Sequence, residues 1–305
     1  VSTAVPLYDN LGSLHHPITT ASPEAQQYFD QGLRLVYAFN HEKATHFFEE
    51  ATRHDPDAAM PYWGVALALG PNINAPMDKE QERRAYDALQ QALTRREHAG
   101  PQERAYIKAL ATRYSPNPNA KRETLDQAYA DAMREVWKRY PDDSDAGTLY
   151  AEALMDLQPR SFWTLDGQPT GRTEEIVATL ERVLTLDPDH PGACHYYIHA
   201  VEASPKPERA LSCAERLPAL VPGAGHLVHM PGHIYLRLGR YQEAAERNFH
   251  AAAVDQEYLK HRHLPGSYPT GYYPHNLHFL WAVLTMESRS REAIQVARDL
   301  HQVVS

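Results

Sequence analysis

The chain has 305 residues, 43% of them apolar and 23% charged, which is enough for a packed core. No apolar run approaches the roughly 18 residues that a membrane-spanning helix needs. Thirty Lys and Arg against 39 Asp and Glu give a net charge of −9 with no dense basic tract, which argues against nucleic acid and anionic membrane surfaces as partners. Two cysteines, Cys194 and Cys213, cannot make a disulfide framework or a Cys-rich zinc site. Histidine stands out: it occurs 18 times, and twelve of those positions lie at or beyond residue 190. The chain begins at Val1 without an apolar leader core, so either a leader has been removed or the chain is trimmed, and both a cytoplasmic and an exported location stay open.

Residues 1–24 read as an extended segment. From Ala25 to Ala58, Tyr28, Gly32, Leu35, Ala44, Phe48, Ala51 and Pro56 occupy places 4, 8, 11, 20, 24, 27 and 32 of a 34-residue unit. This spacing predicts two antiparallel helices, A and B. A small residue at place 8 lets A approach B, alanines at places 20 and 27 allow the reciprocal approach, and Pro56 ends helix B. The unit recurs from residue 59 with Tyr62, Trp63 and Ala66, interrupted by a loop from Gly70 to Asp78. It recurs again over 101–143, split by the breaker at Ser115 to Asn119, and over 144–190 with an inserted loop before Thr173. Cleaner copies start at Pro191, Gly225 and Pro274, with a further insertion from Leu259 to Tyr273.

These seven matched places resemble the tetratricopeptide repeat (TPR), and phrases such as "YAFNHEKA" and "HMPGHIYLRLGRY" resemble a bacterial His-rich subfamily of TPR proteins. The resemblance implies an all-α fold, a right-handed α-solenoid of about seven helix pairs over residues 25–305, with few or no strands. It also implies that places 2, 5, 9 and 12 of each helix A line a concave groove. Ser305 is not preceded by the extra polar helix that usually closes a solenoid, so self-association or a partner at that end is expected.

The histidines fall on the groove stripe. The unit from 191 has His195 and His199 at places 5 and 9 and Glu202 at place 12. The unit from 225 has His226, His229 and His233 at places 2, 5 and 9, and the unit from 274 has His275 and His278 at places 2 and 5. Two His at i and i+4 on a helix can bind one metal together, and neighbouring helices roughly 8–10 Å apart let imidazoles converge. The expectation is a mono- or binuclear transition-metal site in region 190–280. His195, His199, His229, His233 and His278 are the ligands, and Glu202, His226 and His275 are acid–base or supporting groups. Imidazole ligation without thiolate favours copper, with iron or zinc as alternatives. A structural polar network is the competing reading of the same residues. Pro231 is a further difficulty, because a helix starting there would leave His226 and His229 in the preceding loop.

Other positions carry less. Glu152 and Asp156 are i and i+4 on a helix A and read as a solvated face. His15, His16, His41, His261 and His263 read as surface residues, and Cys194 as core. Tyr268, Tyr272 and Tyr273 read as packing, or as a lid beside His275. "GPNIN" lacks the lysine and spacing of a phosphate loop. Three functions follow: a metal-dependent oxidase, oxygenase or hydrolase acting on a small molecule, a peptide- or protein-binding scaffold, or a metal storage or delivery protein. The partner in each case is a small molecule, a peptide or a metal ion.

Overall fold

A computed structural model describes residues 5–117, 119–260 and 268–305. Helices α1 (Pro23–Tyr37) and α2 (His41–His54) form the first hairpin, α3 (Ala59–Ala68) and α4 (Lys79–Thr94) the second, α5 (Pro101–Ala111) and α6 (Arg122–Arg139) the third, and α7 (Ser144–Asp156) and α8 (Thr173–Leu186) the fourth. Next in the chain come α9 (Pro191–Val201) and α10 (Leu211–Leu220). In the sixth, α11 (Gly225–His229) and α12 (Pro231–Arg237) together face α13 (Tyr241–Lys260), and the seventh is α14 (Tyr273–Met286) with α15 (Ser290–Val304). Among the described residues there is no strand, only two isolated bridges in inserted loops, Asn72 with Ala75 and Trp163 with Pro169. No described helix is long and apolar enough to cross a membrane.

The chain divides into two compact units, Val1–Tyr8 with Leu14–Tyr196, and Asp9–Ser13 with Tyr197–Ser305. The first unit is organised by the contact that the repeat spacing predicts. Ser22 caps α1 by accepting a hydrogen bond from the Ala25 N–H at 3.1 Å, and Pro23 sits in the first turn, where its missing N–H costs nothing. Gly32 then faces the Phe48 ring so closely that a Cβ at residue 32 would lie 2.8 Å from it, and a Cβ at Gly64 of α3 would lie 2.3 Å from the same ring. Phe48 is thus gripped between two consecutive A helices, and it is fully buried.

Helix A ends the same way in three hairpins. Phe39, Gly239 and Ser288 each occupy place 15 of their unit, and each has a left-handed backbone, with φ of 57°, 72° and 59°. The N–H one residue later returns to the carbonyl at place 11: Asn40 to Leu35 at 2.9 Å, Arg240 to Tyr235 at 2.8 Å and Arg289 to Leu284 at 3.0 Å. This closes the helix with a left-handed cap and sets the reversal into helix B. Only one of the three is glycine.

In the second unit Pro231 removes one helical hydrogen bond without ending the helix. Met230 keeps helical angles (φ −51°, ψ −37°), its N–H donates to the His226 carbonyl at 3.1 Å, and its own carbonyl accepts from the His233 N–H at 3.1 Å. His226, His229 and His233 therefore lie on one helical path, and His226 and His229 are not in a preceding loop. Near the end of the chain, Trp281 and Ile294 are exposed and line a groove between α14 and α15.

The cap at place 15 can be tested without touching the core. Gly239 has no neighbour within 4 Å of where a Cβ would lie, so Gly239→Val is expected to lower unfolding free energy by about 1–2 kcal/mol through backbone strain alone. Ser288→Gly, at an exposed position, is expected to be neutral or stabilising by up to about 1 kcal/mol. Urea denaturation followed by circular dichroism measures both, and equal effects would contradict the shared cap.

Candidate metal centre

In the second unit three imidazoles converge. His229 Nε2 lies 2.8 Å from His233 Nε2, and His275 Nε2 lies 3.1 Å from His229 Nε2. The ligand atoms of all three are within 4.8 Å of one another. His229 and His233 are a turn apart on the α11–α12 path, and His275 comes from the first turn of α14. Phe279 closes one side, its ring centroid 4.9 Å from that of His229 and 4.8 Å from that of His233. His229 is fully buried and His275 is exposed, so the group has an apolar floor and a solvent-facing mouth.

The hydrogen bonds decide which nitrogens face each other. Asn248 on α13 donates its amide N–H to the Ala244 carbonyl at 2.7 Å, which turns its Oδ1 to the His229 ring, where it accepts from Nδ1–H at 2.6 Å. Glu202 Oε2 accepts from His233 Nδ1–H at 2.5 Å, and Glu202 Oε1 lies 3.2 Å from His199 Nδ1. With the Nδ1 sides of both rings engaged, His229 and His233 turn their Nε2 atoms to each other. Burial, with His233 and His275 close by, holds His229 well below its ordinary pKa, and burial, with His233 and His199 nearby, lowers His275 to about 4. Burial alone would raise the Glu202 carboxyl, but His233 beside it and the bonds from both imidazoles hold it well below the usual range.

The expected residues fall into three groups. His229 and His233 stand in the converging set, and His275, expected to support, joins them in the ligand position. His199, His226 and Glu202 lie around it: the His226 ring is 5.8 Å from His229 and 6.1 Å from His199, and Glu202 orients rings through their Nδ1 side. The structure does not bring His278 to the three. His278 is exposed, its ring 5.5 Å from that of Trp281. His195 belongs to the first unit, where its Nδ1 is 2.7 Å from the Tyr37 carbonyl and its ring meets Phe39 edge-on at 4.5 Å.

Asn248 was missed by the sequence reading, although a signal existed. It occupies place 24, where the first unit has Phe48, and a Cβ at Gly232 would lie 2.5 Å from its amide nitrogen, just as one at Gly32 would meet Phe48. Asp255 is a second such residue. It is buried, accepts from Tyr268 O–H at 2.8 Å and Asn276 at 2.6 Å, and Tyr268 in turn accepts from the His226 N–H at 3.1 Å. Burial pushes the Asp255 carboxyl up to about 7 despite those two bonds. Tyr268 is thus fixed in the interior, and Tyr272 packs edge-on to His226 at 4.9 Å. His261 and His263 lie outside the described residues.

The first unit corrects three further expectations. Glu152 and Asp156 are not a solvated face: both are buried beside Arg113, whose guanidinium pairs with Asp156 at 2.5 Å and Asp126 at 3.1 Å. Burial, with Asp156 adjacent, raises the Glu152 carboxyl well above its usual range. His16 is not a surface residue either, being 8% exposed, and its Nδ1 lies 2.6 Å from Asp145 Oδ2. His41 is half-buried, Nδ1 lying 3.3 Å from the Gly70 carbonyl, and burial lowers it to about 4. His16, Asp143 and Asp145 also bring ligand atoms within 4.8 Å, but this group is satisfied as an ion pair. Burial alone would lower the His16 imidazole, and the Asp145 carboxylate outweighs it, lifting His16 to about 9.

No family model matches the chain, and no curated protein matches it. Solved structures similar to it include MamA 41-end from Desulfovibrio magneticus RS-1 (13% identity, TM-score 0.36, 78% of this chain and 98% of that one). Another is YrrB, a TPR protein with an unusual peptide-binding site (18% identity, TM-score 0.33, 67% and 90%). The fold is TPR-like. Its helix pairs, the small-residue contact at place 8 and the left-handed cap at place 15 carry that statement.

The His16 ion pair makes a pH-dependent contribution to stability. A folded pKa of about 9 against an ordinary 6.5 means that this contribution is complete below about 6.5 and is lost as pH rises through 9. The groups facing the ring are Asp145, Asp143 and Asp30, with Tyr106 against its side. The difference in unfolding free energy between wild type and His16→Gln is therefore expected to shrink between pH 6.5 and 9.5. A constant difference in urea titrations at both pH values would remove the imidazolium assignment.

Proposed function

We propose that the second unit is a transition-metal site in which His229, His233 and His275 supply three nitrogen ligands. The observation that carries this reading is the 2.8 Å approach of two Nε2 atoms whose rings are both oriented by Nδ1 donors. At that distance a proton or a metal cation lies between the two nitrogens, and a transition-metal ion taking the proton's place is coordinated by both. A tetrahedral ion with Zn–N bonds of about 2.0–2.1 Å needs nitrogens about 3.3 Å apart, so the His229–His233 and His229–His275 pairs need open by only a few tenths of an ångström. The Asn248 and Glu202 contacts have the form of the outer partners that fix metal-ligating imidazoles. An all-imidazole set favours copper, then zinc or iron. Three protein ligands with an exposed His275 at the mouth leave a fourth position to water or a small molecule, the arrangement of a catalytic rather than a closed structural centre.

A peptide-binding scaffold is the second reading, and a separate observation in the first unit favours it. Residues preceding α1 lie extended against that unit, with their main-chain groups bonded to its side chains.

Tag-free protein titrated with Cu(II) or Zn(II), with bound metal measured by plasma mass spectrometry after desalting, is expected to hold at least one ion per chain. His229→Ala and His233→Ala should each lose that ion at least tenfold. Asn248→Ala should weaken it about 10–100-fold, as outer partners do, and His278→Ala should leave it unchanged. Retention by both His229→Ala and His233→Ala, with helical circular dichroism intact, would refute the site.

A further inference from the structure

Residues 14–21 of the first unit form neither helix nor strand, yet their main-chain groups are taken up one after another. The Leu14 carbonyl accepts from Arg34 Nε at 2.8 Å, and the His16 N–H donates to Asp30 Oδ1 at 3.1 Å. Gln26 clamps the two sides of Pro17, its Nε2 donating to the His16 carbonyl and its Oε1 accepting from the Ile18 N–H, each at 2.9 Å. The Ala21 N–H donates to Asp55 Oδ2 at 3.0 Å. Such bonds between side chains and main chain hold an extended peptide without regard to its sequence, as when a peptide is read by side chains lining a groove.

Two side chains of the segment are read specifically. The His16 ring enters a pocket between Phe29 and Tyr106, at centroid distances of 5.9 and 5.7 Å, and pairs with Asp145. Asp145 is fixed before His16 arrives, because its other oxygen accepts from Tyr37 O–H at 2.5 Å and lies 3.1 Å from His190 Nε2. His190 Nδ1 accepts from the Ala193 N–H at 3.1 Å, which makes Nε2 the donor to Asp145. Thr19 is held twice by one carboxylate: its N–H donates to Glu103 Oε1 and its hydroxyl to Glu103 Oε2, both at 2.6 Å. Between these anchors Pro17 has no N–H to satisfy, and its ring holds the chain near an extended φ.

We propose that the first unit is a recognition site for an extended His-Pro-x-Thr segment, that residues 14–21 occupy it in cis, and that a partner protein carrying the same pattern docks there by exchange. This rests on the peptide-scaffold reading and supplies its ligand chemistry: a cationic ring at the first position, proline at the second and a hydroxyl at the fourth. The cis segment is tethered directly to α1, so it competes at an effective concentration of about millimolar, and a free peptide gains access when the tethered copy is weakened.

The test uses the full chain and a fluorescein-labelled synthetic peptide of residues 14–21, with binding read by anisotropy. His16→Ala in the protein removes the resident anchor and leaves Asp145 available, so it is expected to bind the peptide at least tenfold more tightly than wild type. A peptide in which alanine replaces the residue-16 histidine should bind His16→Ala protein at least tenfold more weakly than the native peptide, and Glu103→Gln added to that protein should weaken the native peptide. If His16→Ala protein does not fold, Gln26→Ala is the loosening variant, since it keeps the Asp145 ion pair. Equal binding of the two peptides would overturn the His-Pro-x-Thr pattern and leave a sequence-blind groove. No binding of either peptide to folded His16→Ala or Gln26→Ala protein would overturn the scaffold reading as well.

Discussion

One contact sets the register on which everything else is mounted: the place-8 residue of helix A pressed against place 24 of helix B. Where Gly32 meets Phe48, no side chain larger than hydrogen fits at residue 32. That distance of approach fixes which residues of helix A look away from B, and the left-handed turn at place 15 fixes where the reversal happens. The spacing of three, four and three between places 2, 5, 9 and 12 then follows from 3.6 residues per turn. A chain that repeats these constraints repeats its outward face too, so side chains with chemistry can be added at fixed places without redesigning the core.

The second unit changes the contact itself. At place 24 it carries Asn248 in place of a phenyl ring, still packed against a place-8 glycine and still fully buried. A buried amide must find partners. Asn248 uses its N–H on Ala244 one turn back and its carbonyl on His229. A core position therefore determines the tautomer of a groove position, and the same residue that packs the hairpin directs the His229 Nε2 lone pair outward. Asp255 does comparable work two turns further along α13, linking α14 through Asn276 and the His226 backbone through Tyr268.

Much of this was legible in the chain because it is periodic. The helix pairs and the histidine stripe depend only on local spacing, and local spacing survives folding. What was not legible depends on residues far apart in sequence. His278 was preferred to His275 as a ligand by its place, and only the approach of α14 to α11 brings His275 instead to His229. Pro231 looked like a helix start, but a single missing N–H costs one bond, and Met230 carries the helical path across it. Glu152 and Asp156 looked solvated because their partner, Arg113, lies some forty residues away. His16 looked superficial because Asp145, 129 residues later, cannot be guessed from a histidine near the start of a chain.

The two units solve opposite electrostatic problems. The first buries carboxylates at Asp145, Glu152 and Asp156, and a buried carboxylate needs a cation or a proton. It has three such solutions: the His16 imidazolium brought in by the preceding segment, the Arg113 guanidinium, and a retained proton on Glu152. The second buries imidazoles, and burial there favours the neutral ring. With their Nδ1 sides engaged, His229 and His233 bring Nε2 atoms face to face, where a proton or a cation can sit between them. The first unit's charges are met by groups of its own, whereas in the second the Nε2 atoms of His229, His233 and His275 converge while Asn248 and Glu202 hold the Nδ1 sides of His229 and His233.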